Sequence, residues 1–367
     1  FFFNMKLHEI TSTLESIAPK IYQESYDNSG LIVGDLSMEV TGAIICLDST
    51  EDVVDEAIRK GANLVIAHHP IVFKGLKTFT GKNYVERTVM KAIKNDIALY
   101  AIHTNLDNVR KGVNEKIADK LGLKNKRILS AKRGFLSKLV FFCPEKDSNS
   151  VKDAVFSAGG GAIGDYDYCS YSSEGVGTFK PVRNANPVEG KLGELSTVNE
   201  LRIEVLVKNS VLEDVLHALK SAHPYEEVAH EVYSVENEDQ QLGSGMIGEL
   251  ESSVTLDEFL TYVSFTFNTG VIKYTPFEKE IKKVAVCGGS GSFLLKNAMA
   301  AKADVFITSD FKYHEFFDAE GEISIFDIGH FESEQFTIDL IKEFLIDKFP
   351  KFAPHLTEIN TNPVKYF

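Results

Sequence analysis

The stretch GAIICLDSTEDVVDEAIRKGANLVIAHHP, residues 42–70, decides the fold. GAIICLD (42–48) is an apolar run of strand length, and residues 51–60 carry helical periodicity up to Gly61, the residue type that ends helices in a left-handed turn. NLVIAHH (63–69) is a second buried-type strand. A strand, a helix and a strand in so short a span imply parallel pairing, with the helix crossing one face of the sheet. The rhythm continues outward with a helix over 84–96 and a strand over 97–103. It is preceded by a helix over 10–22, where Ile10, Leu14, Ile17 and Ile21 share a face and Ser12 with Glu15 has capping-box spacing.

The last third repeats the pattern. Strands are predicted over 282–289, 304–310 and 323–330, with helices over 292–303, 312–320 and 331–348. The reading is therefore α/β, with two similar βαβ-type halves facing each other. Between them the order changes to strand 135–142, helix 148–158, strand 166–172, strand 200–207, helix 210–221 and strand 228–234, with the Gly- and Pro-rich run 175–194 as a loop or short ribbon. That is the β-α-β-β-α-β order of a ferredoxin-like unit. The predicted organisation is one discontinuous α/β domain over 5–130 plus 240–367, with an inserted ferredoxin-like α+β domain over 134–236. Residues 1–4 precede Met5 and are set aside as an appended remnant.

Composition narrows the function. The chain has 367 residues, 39 basic and 53 acidic, for a net charge of −14. That balance argues against nucleic-acid binding through phosphate neutralisation. No apolar run reaches the roughly 18 residues of a membrane helix, and the opening residues lack the basic segment of a signal peptide. The four cysteines (Cys46, Cys143, Cys169, Cys287) form no C-x-x-C pair and read as reduced thiols, which points to the cytoplasm.

The chemistry gathers at strand ends. One strand runs into His68-His69-Pro70, another into His103-Thr104-Asn105-Leu106-Asp107, and a third into Gly329-His330, with Glu334 one helical turn later. Open α/β sheets bind ligands outside the carboxyl ends of their strands, so His68, His69, His103, Asp107, His330 and Glu334 are expected at one edge. A lone histidine at a strand end is usually a surface or capping residue. Six metal-competent side chains at three equivalent ends outweigh that reading. Imidazoles with carboxylates suit zinc first, or iron, manganese or cobalt, rather than magnesium or calcium, and so many donors exceed one tetrahedral shell and suit two ions.

Other patterns are weaker. Gly288-Gly289-Ser290-Gly291-Ser292 joins a strand to a helix but fits neither the G-x-G-x-x-G nor the G-x-S-x-G pattern; a tight turn explains it. Gly75 to Lys82 fails as a P-loop, because five residues separate its glycines and Asn83 follows the lysine. Asp310 and His314 share a helical face and are candidates for holding a ligand or moving protons, as is His103, against the plain reading of a solvated helix start. His223-Pro224-Tyr225-Glu226-Glu227 reads as a capped turn.

Taken together, Asp27-Asn28-Ser29-Gly30-Leu31 with Gly34, His68-His69-Pro70, His103 to Asp107, Gly288 to Gly291, Thr308-Ser309-Asp310 and Gly329 to Glu334 resemble the Nif-three-like family. This dinuclear-metal hexameric family is also called the GTP cyclohydrolase 1 type 2 homologs. The middle block, with HPYEE at 223–227, is similar to the PII/CutA-like insert of its long bacterial members. The resemblance implies two divalent ions per chain held by His68, His69, Asp107, His330 and Glu334, with Asp107 central and bridging and His103 nearby. It also implies a toroidal homohexamer. Tyr26 stands where the family usually has Trp, and Ser309 where it has Gly.

Two functions compete at this stage. One is a metal-dependent hydrolase of the GTP cyclohydrolase or phosphoesterase type, acting on a nucleotide or other small molecule. The other is a non-catalytic metal-binding or regulatory assembly whose insert senses a small molecule.

Overall fold

The computed structural model describes residues 5–366; the remnant assigned to residues 1–4 lies outside the described residues. The chain divides into two compact units. One is made from both ends of the chain, up to Ala131 and again from Gln241, and the other from Lys132–Gln240.

The first unit holds two larger sheets. Across one of them run His355–Leu356, Ala43–Asp48, Leu64–His69, Ala98–Ala101 and Gly30–Val33. The first four strands are parallel, and Gly30–Val33 closes the edge antiparallel. The helix Glu51–Lys60 is bounded by Thr50, whose hydroxyl accepts from Val53 N at 3.3 Å, and by Gly61 at φ 67. Both ends follow from residue chemistry: a hydroxyl for an orphan N–H, and a residue without Cβ for the left-handed turn.

Across the other sheet run Lys273–Tyr274, Ser324–Asp327, Val305–Ser309, Ile281–Ser290, Asp239–Val254 and Lys124–Lys132. Its three inner strands from Ser324–Asp327 to Ile281–Ser290 are parallel. The halves exchange edges: Lys124–Lys132 joins the later sheet, and His355–Leu356 joins the earlier one. One buried apolar cluster accordingly runs from Leu7 and Ile45 through Leu106 to Val284 and Phe326. Removing either half would expose that shared core, so the halves are one cooperative body.

Several local expectations need correction. The opening helix is Leu7–Ile17 and not 10–22, because Pro19 follows it and disfavours helical geometry at the residue before it. Ile21 therefore leaves the apolar face and is half exposed. The capping interaction is made by Glu9, whose carboxylate accepts from Lys6 N at 2.7 Å, while Ser12 lies within the helix. The segment 331–348 is two helices, His330–Glu334 and Thr337–Lys348; the helix expected over 292–303 is a 3₁₀ turn at Ser292–Leu294 leading into the α-helix Leu295–Ala300, and the one expected over 312–320 is the 3₁₀ helix Tyr313–Ala319. Gly75 to Lys82 is a loop tied down by Glu86, which accepts from Thr80 N at 2.8 Å and Lys82 N at 3.3 Å.

The second unit is a four-stranded antiparallel sheet, ordered His230–Val235, Leu136–Pro144, Ser196–Lys208, Ser170–Phe179. The helices Ser148–Ser157 and Leu212–Ala222 complete a β-α-β-β-α-β order. Val151, Val155, Val215 and Leu219 pack on Leu139, Phe141, Ile203 and Val205. The strand expected over 166–172 runs instead over Ser170–Phe179, paired along its length with Ser196–Lys208. Glycines at 175 and 177 masked it in the sequence, since glycine weakens a strand pattern.

Candidate metal centre

Three strand ends, two from the first sheet and one from the second, deliver the imidazoles to one place. His68 and His69 are the last residues of Leu64–His69, His103 follows Ala98–Ala101, and His330 opens the short helix after Ser324–Asp327. Ring centroids of His68 and His69 are 4.8 Å apart, those of His68 and His103 5.3 Å, and those of His69 and His330 5.3 Å. Donor atoms of His68, His69 and His103 lie within 4.8 Å of one another, as do those of His69, His330 and Glu334. These are the only such groups among the described residues.

Each imidazole is held from behind through Nδ1. His68 Nδ1 donates to Ile102 O at 2.8 Å, which fixes the tautomer, since a carbonyl only accepts. His69 Nδ1 meets Asp48 Oδ1 at 2.8 Å, across the register pair Asp48↔His69. His103 Nδ1 meets Asp27 Oδ1 at 2.8 Å, and His330 Nδ1 meets Asp310 Oδ2 at 2.6 Å. Behind these carboxylates, Thr361 Oγ1 donates to Asp48, Thr104 N and Ser29 Oγ to Asp27, and Ser290 Oγ to Asp310. Backing of this kind orients metal-ligating histidines and leaves Nε2 for the ion.

The carboxylates sit in front. Glu334 Oε2 is 2.9 Å from His69 Nε2 and 3.2 Å from His330 Nε2, and its Oε1 is 3.8 Å from His68 Nε2. Asp107 Oδ1 is 3.6 Å from His68 Nε2. The carboxylate with the most imidazole contacts is thus Glu334, where the family resemblance implies Asp107 as the central one. His68 Nε2 and Asp107 Oδ1 are both buried without a hydrogen-bond partner. A lone pair and a carboxylate oxygen left bare in the interior cost a few kcal/mol unless a cation meets them. The donor set therefore fits a metal.

Electrostatics agree. Burial and the neighbouring Glu334 charge push Asp107 up to about 7. Burial alone would lower His69, but Glu334 and Asp48 outweigh it and hold the ring at about 10; for His330, Asp310 and Glu334 outweigh burial and hold it at about 11. Against its own burial, the charge of His69 keeps Glu334 well below its usual range. Without a metal the cluster neutralises its buried carboxylates with protons on two imidazoles, the role a divalent cation takes over.

Glycine makes the cluster possible. A Cβ on Gly289, at φ +63, would fall on Glu334 Oε1 and lie 3.2 Å from His330 Cε1, and one on Gly288 would lie 3.3 Å from Glu334 Cγ. Gly288 and Gly289 thus admit Glu334, while Gly291 admits Thr308 and Cys287. A cavity of about 580 Å³ opens on one side of the cluster, lined by Phe73, Phe331, Val271, Lys273 and Tyr366 among others. A second, of about 290 Å³, opens beside Asp107, Cys287 and Ser244.

Of the sequence candidates, His68, His69, His103, Asp107, His330 and Glu334 come together, with Asp310 behind His330. His314 does not join them: it is exposed on the turn Tyr313–Ala319, its ring against Tyr313 and Phe317. Asp310 shares no helical face with it, since its φ of 61 ends the strand in a left-handed turn. Asp48 and Asp27 were missed as supports. Asp48 was legible as another carboxyl-end residue of the same sheet; Asp27 carries no spacing signal, lying 76 residues from His103.

A model of the Duf34/NIF3 (NGG1p interacting factor 3) family matches residues 5–363. The chain belongs to the DUF34/NIF3 family. A Staphylococcus epidermidis relative named GTP cyclohydrolase 1 type 2 homolog is 37% identical over 367 residues, covering 99% of this chain and all of that one. A relative of the same name from Halalkalibacterium halodurans is 39% identical over 358 residues, 97% of this chain and 96% of that one. Among solved structures, a Bacillus cereus protein related to NIF3 superposes with a TM-score of 0.86 at 37% identity over 99% of both chains. A Staphylococcus aureus protein does so at 0.79 and 30%, again over 99% of both. Among the described residues no helix is long and apolar enough to cross a membrane.

Proposed function

We propose that this DUF34/NIF3 chain is a dinuclear divalent-metal hydrolase acting on a nucleotide or a related small molecule. His68, His69, His103, Asp107, His330 and Glu334 would hold the two ions, with zinc the first candidate and iron, manganese or cobalt the others. The observation that carries this reading is the pair of bare buried atoms, His68 Nε2 and Asp107 Oδ1, among four imidazoles each held by its other nitrogen. When bound, such ions acidify water and polarise an electrophilic centre.

The chain's own residues supply the rest. Asp48, Asp27 and Asp310 orient their imidazoles, and the lowered pKa of Asp310, set by His330, suits holding a ring rather than passing a proton at neutral pH. The larger cavity has the size of a small-molecule site. Phe73 and Phe331 offer it flat apolar walls, and Lys273 lines it with its ammonium already paired to Asp327 Oδ2 at 2.8 Å. The names of the relatives support GTP as the first substrate to test. Metal-loaded protein and Asp107→Ala are compared on a nucleotide panel; equal rates in the two would remove the hydrolase reading.

The same proposal includes a homohexameric toroid in the cytoplasm, tested by a solution mass sixfold that of the chain. It also includes kinship of the inserted unit with ferredoxin-like PII/CutA proteins, supported by its element order. A regulatory assembly is the second reading, favoured by the separate cavity in the inserted unit described next.

A further inference from the structure

The run His223-Pro224-Tyr225-Glu226-Glu227 has no part in the metal centre, yet it is built with care. His223 is buried, its Nε2 donates to Phe142 O at 2.9 Å, and its Nδ1 accepts from Tyr225 N at 3.1 Å. With both nitrogens engaged and burial lowering its pKa, the ring is a neutral structural pin. Tyr225 packs edge-on against it, ring centroids 5.0 Å apart. The turn thus holds Tyr225, Glu226 and Glu227 in fixed positions.

They face a cavity of about 430 Å³ lying wholly within the second unit. Its walls include Phe142, Phe179, Pro181, Pro187 and Tyr225. Four carboxylates (Glu189, Glu200, Glu226, Glu227) line it against one ammonium, Lys180. Two of these are already engaged: Glu189 lies 3.3 Å from Lys146 Nζ, and Glu226 accepts from Asn186 N at 2.9 Å. Glu200 and Glu227 have no basic partner among the described residues. Glu200 is admitted by a glycine, since a Cβ on Gly177 would collide with its carboxylate. Beside it, the buried Tyr225 hydroxyl lies against Glu200 without a hydrogen bond of good geometry, and burial together with that carboxylate raises its pKa.

We propose that this cavity is a ligand site for a small organic cation, one amine or guanidinium on a flat apolar body. The aromatic walls take the body and the cation's face, and Glu200 and Glu227 take its charge. A bare metal ion is the wrong occupant, because these carboxylates form no group of three within 4.8 Å. The inference deepens the regulatory reading by naming a ligand class, but stands whichever reading of the metal centre holds.

The test uses the full chain, metal-loaded, with phenylguanidine and phenylacetate as probes of one ring and opposite charge, read by isothermal titration. Saturable binding of phenylguanidine below about 1 mM is expected, at least tenfold tighter than phenylacetate. Glu200→Gln and Glu227→Gln should each weaken it about tenfold while melting temperature and metal content stay unchanged. Equal or tighter binding of phenylacetate overturns the proposal, as does absence of saturation with phenylguanidine. If Glu200→Gln fails to fold, the exposed Glu227→Gln decides alone. A change in assembly mass in that variant, without probe binding in the parent, would assign the cavity to a contact between copies and also overturn it.

Discussion

Gly289→Ala is the substitution that separates backbone strain from damage to the metal centre. Gly289 sits at φ +63, where an L side chain costs about 1–2 kcal/mol. Its new methyl would also fall on Glu334 Oε1. The loop cannot retreat, because Gly289 N donates to Ser333 Oγ at 2.9 Å and Gly289 O accepts from Thr308 Oγ1 at 2.9 Å. Glu334 must yield instead, by about an ångström to restore an ordinary contact, and it leaves His69 and His330 as it does so. Gly122→Ala is the control, with φ +67 and nothing within 4 Å of a Cβ. Both variants should lose about 1–2 kcal/mol in urea unfolding of metal-free protein. Only Gly289→Ala should lose zinc affinity, by tenfold to a hundredfold, or about 1.4–2.8 kcal/mol, in competition with a chromophoric chelator. Parental affinity in Gly289→Ala would refute the placement of Glu334 at the centre.

Further outcomes follow from the same geometry. With His69 held at about 10, His330 at about 11 and Asp107 at about 7, zinc binding at pH 7 should release about two to three protons per chain; calorimetry in buffers of different ionisation enthalpy measures this, and a slope near zero refutes it. Both pKa values are raised above 6.5, so the stabilisation they bring to the metal-free fold is complete below pH 6.5 and is lost as pH rises through about 10 to 11. Melting curves should drop there for metal-free protein only; a flat profile contradicts the pairing. Asp48→Asn should weaken metal binding tenfold or more by removing the charge behind His69 Nδ1, and an unchanged chelator titration would count against it. Thr255→Ala removes the cap of Leu256–Phe267, whose hydroxyl accepts from Glu258 N at 3.4 Å. It should cost about 1 kcal/mol with metal content intact; loss of metal there would mean the site is not locally held.

What the sequence made legible is what local chemistry dictates. Thr50 and Gly61 bound a helix because a hydroxyl and a missing Cβ act within one turn, and the apolar runs around Ile45, Ile66 and Ile307 are strands buried on both faces. The strand-end rule brought His68, His103 and His330 together across 262 residues of separation (330 − 68). What it hid depends on partners far along the chain. That His355–Leu356 completes the earlier sheet, that Asp27 supports His103, and that Glu334 rather than Asp107 contacts three imidazoles are facts of packing with no local period. His314 was misplaced because helical spacing was assumed where the turn is 3₁₀ and Asp310 is left-handed.

Metal content tests the central claim most directly. Protein freed of metal, offered excess zinc and desalted, should carry two ions per chain by elemental analysis, and Glu334→Ala treated alike should lose at least one. Parent protein that stays empty of zinc, manganese, iron and cobalt, or a Glu334→Ala that fills like the parent, would contradict the account.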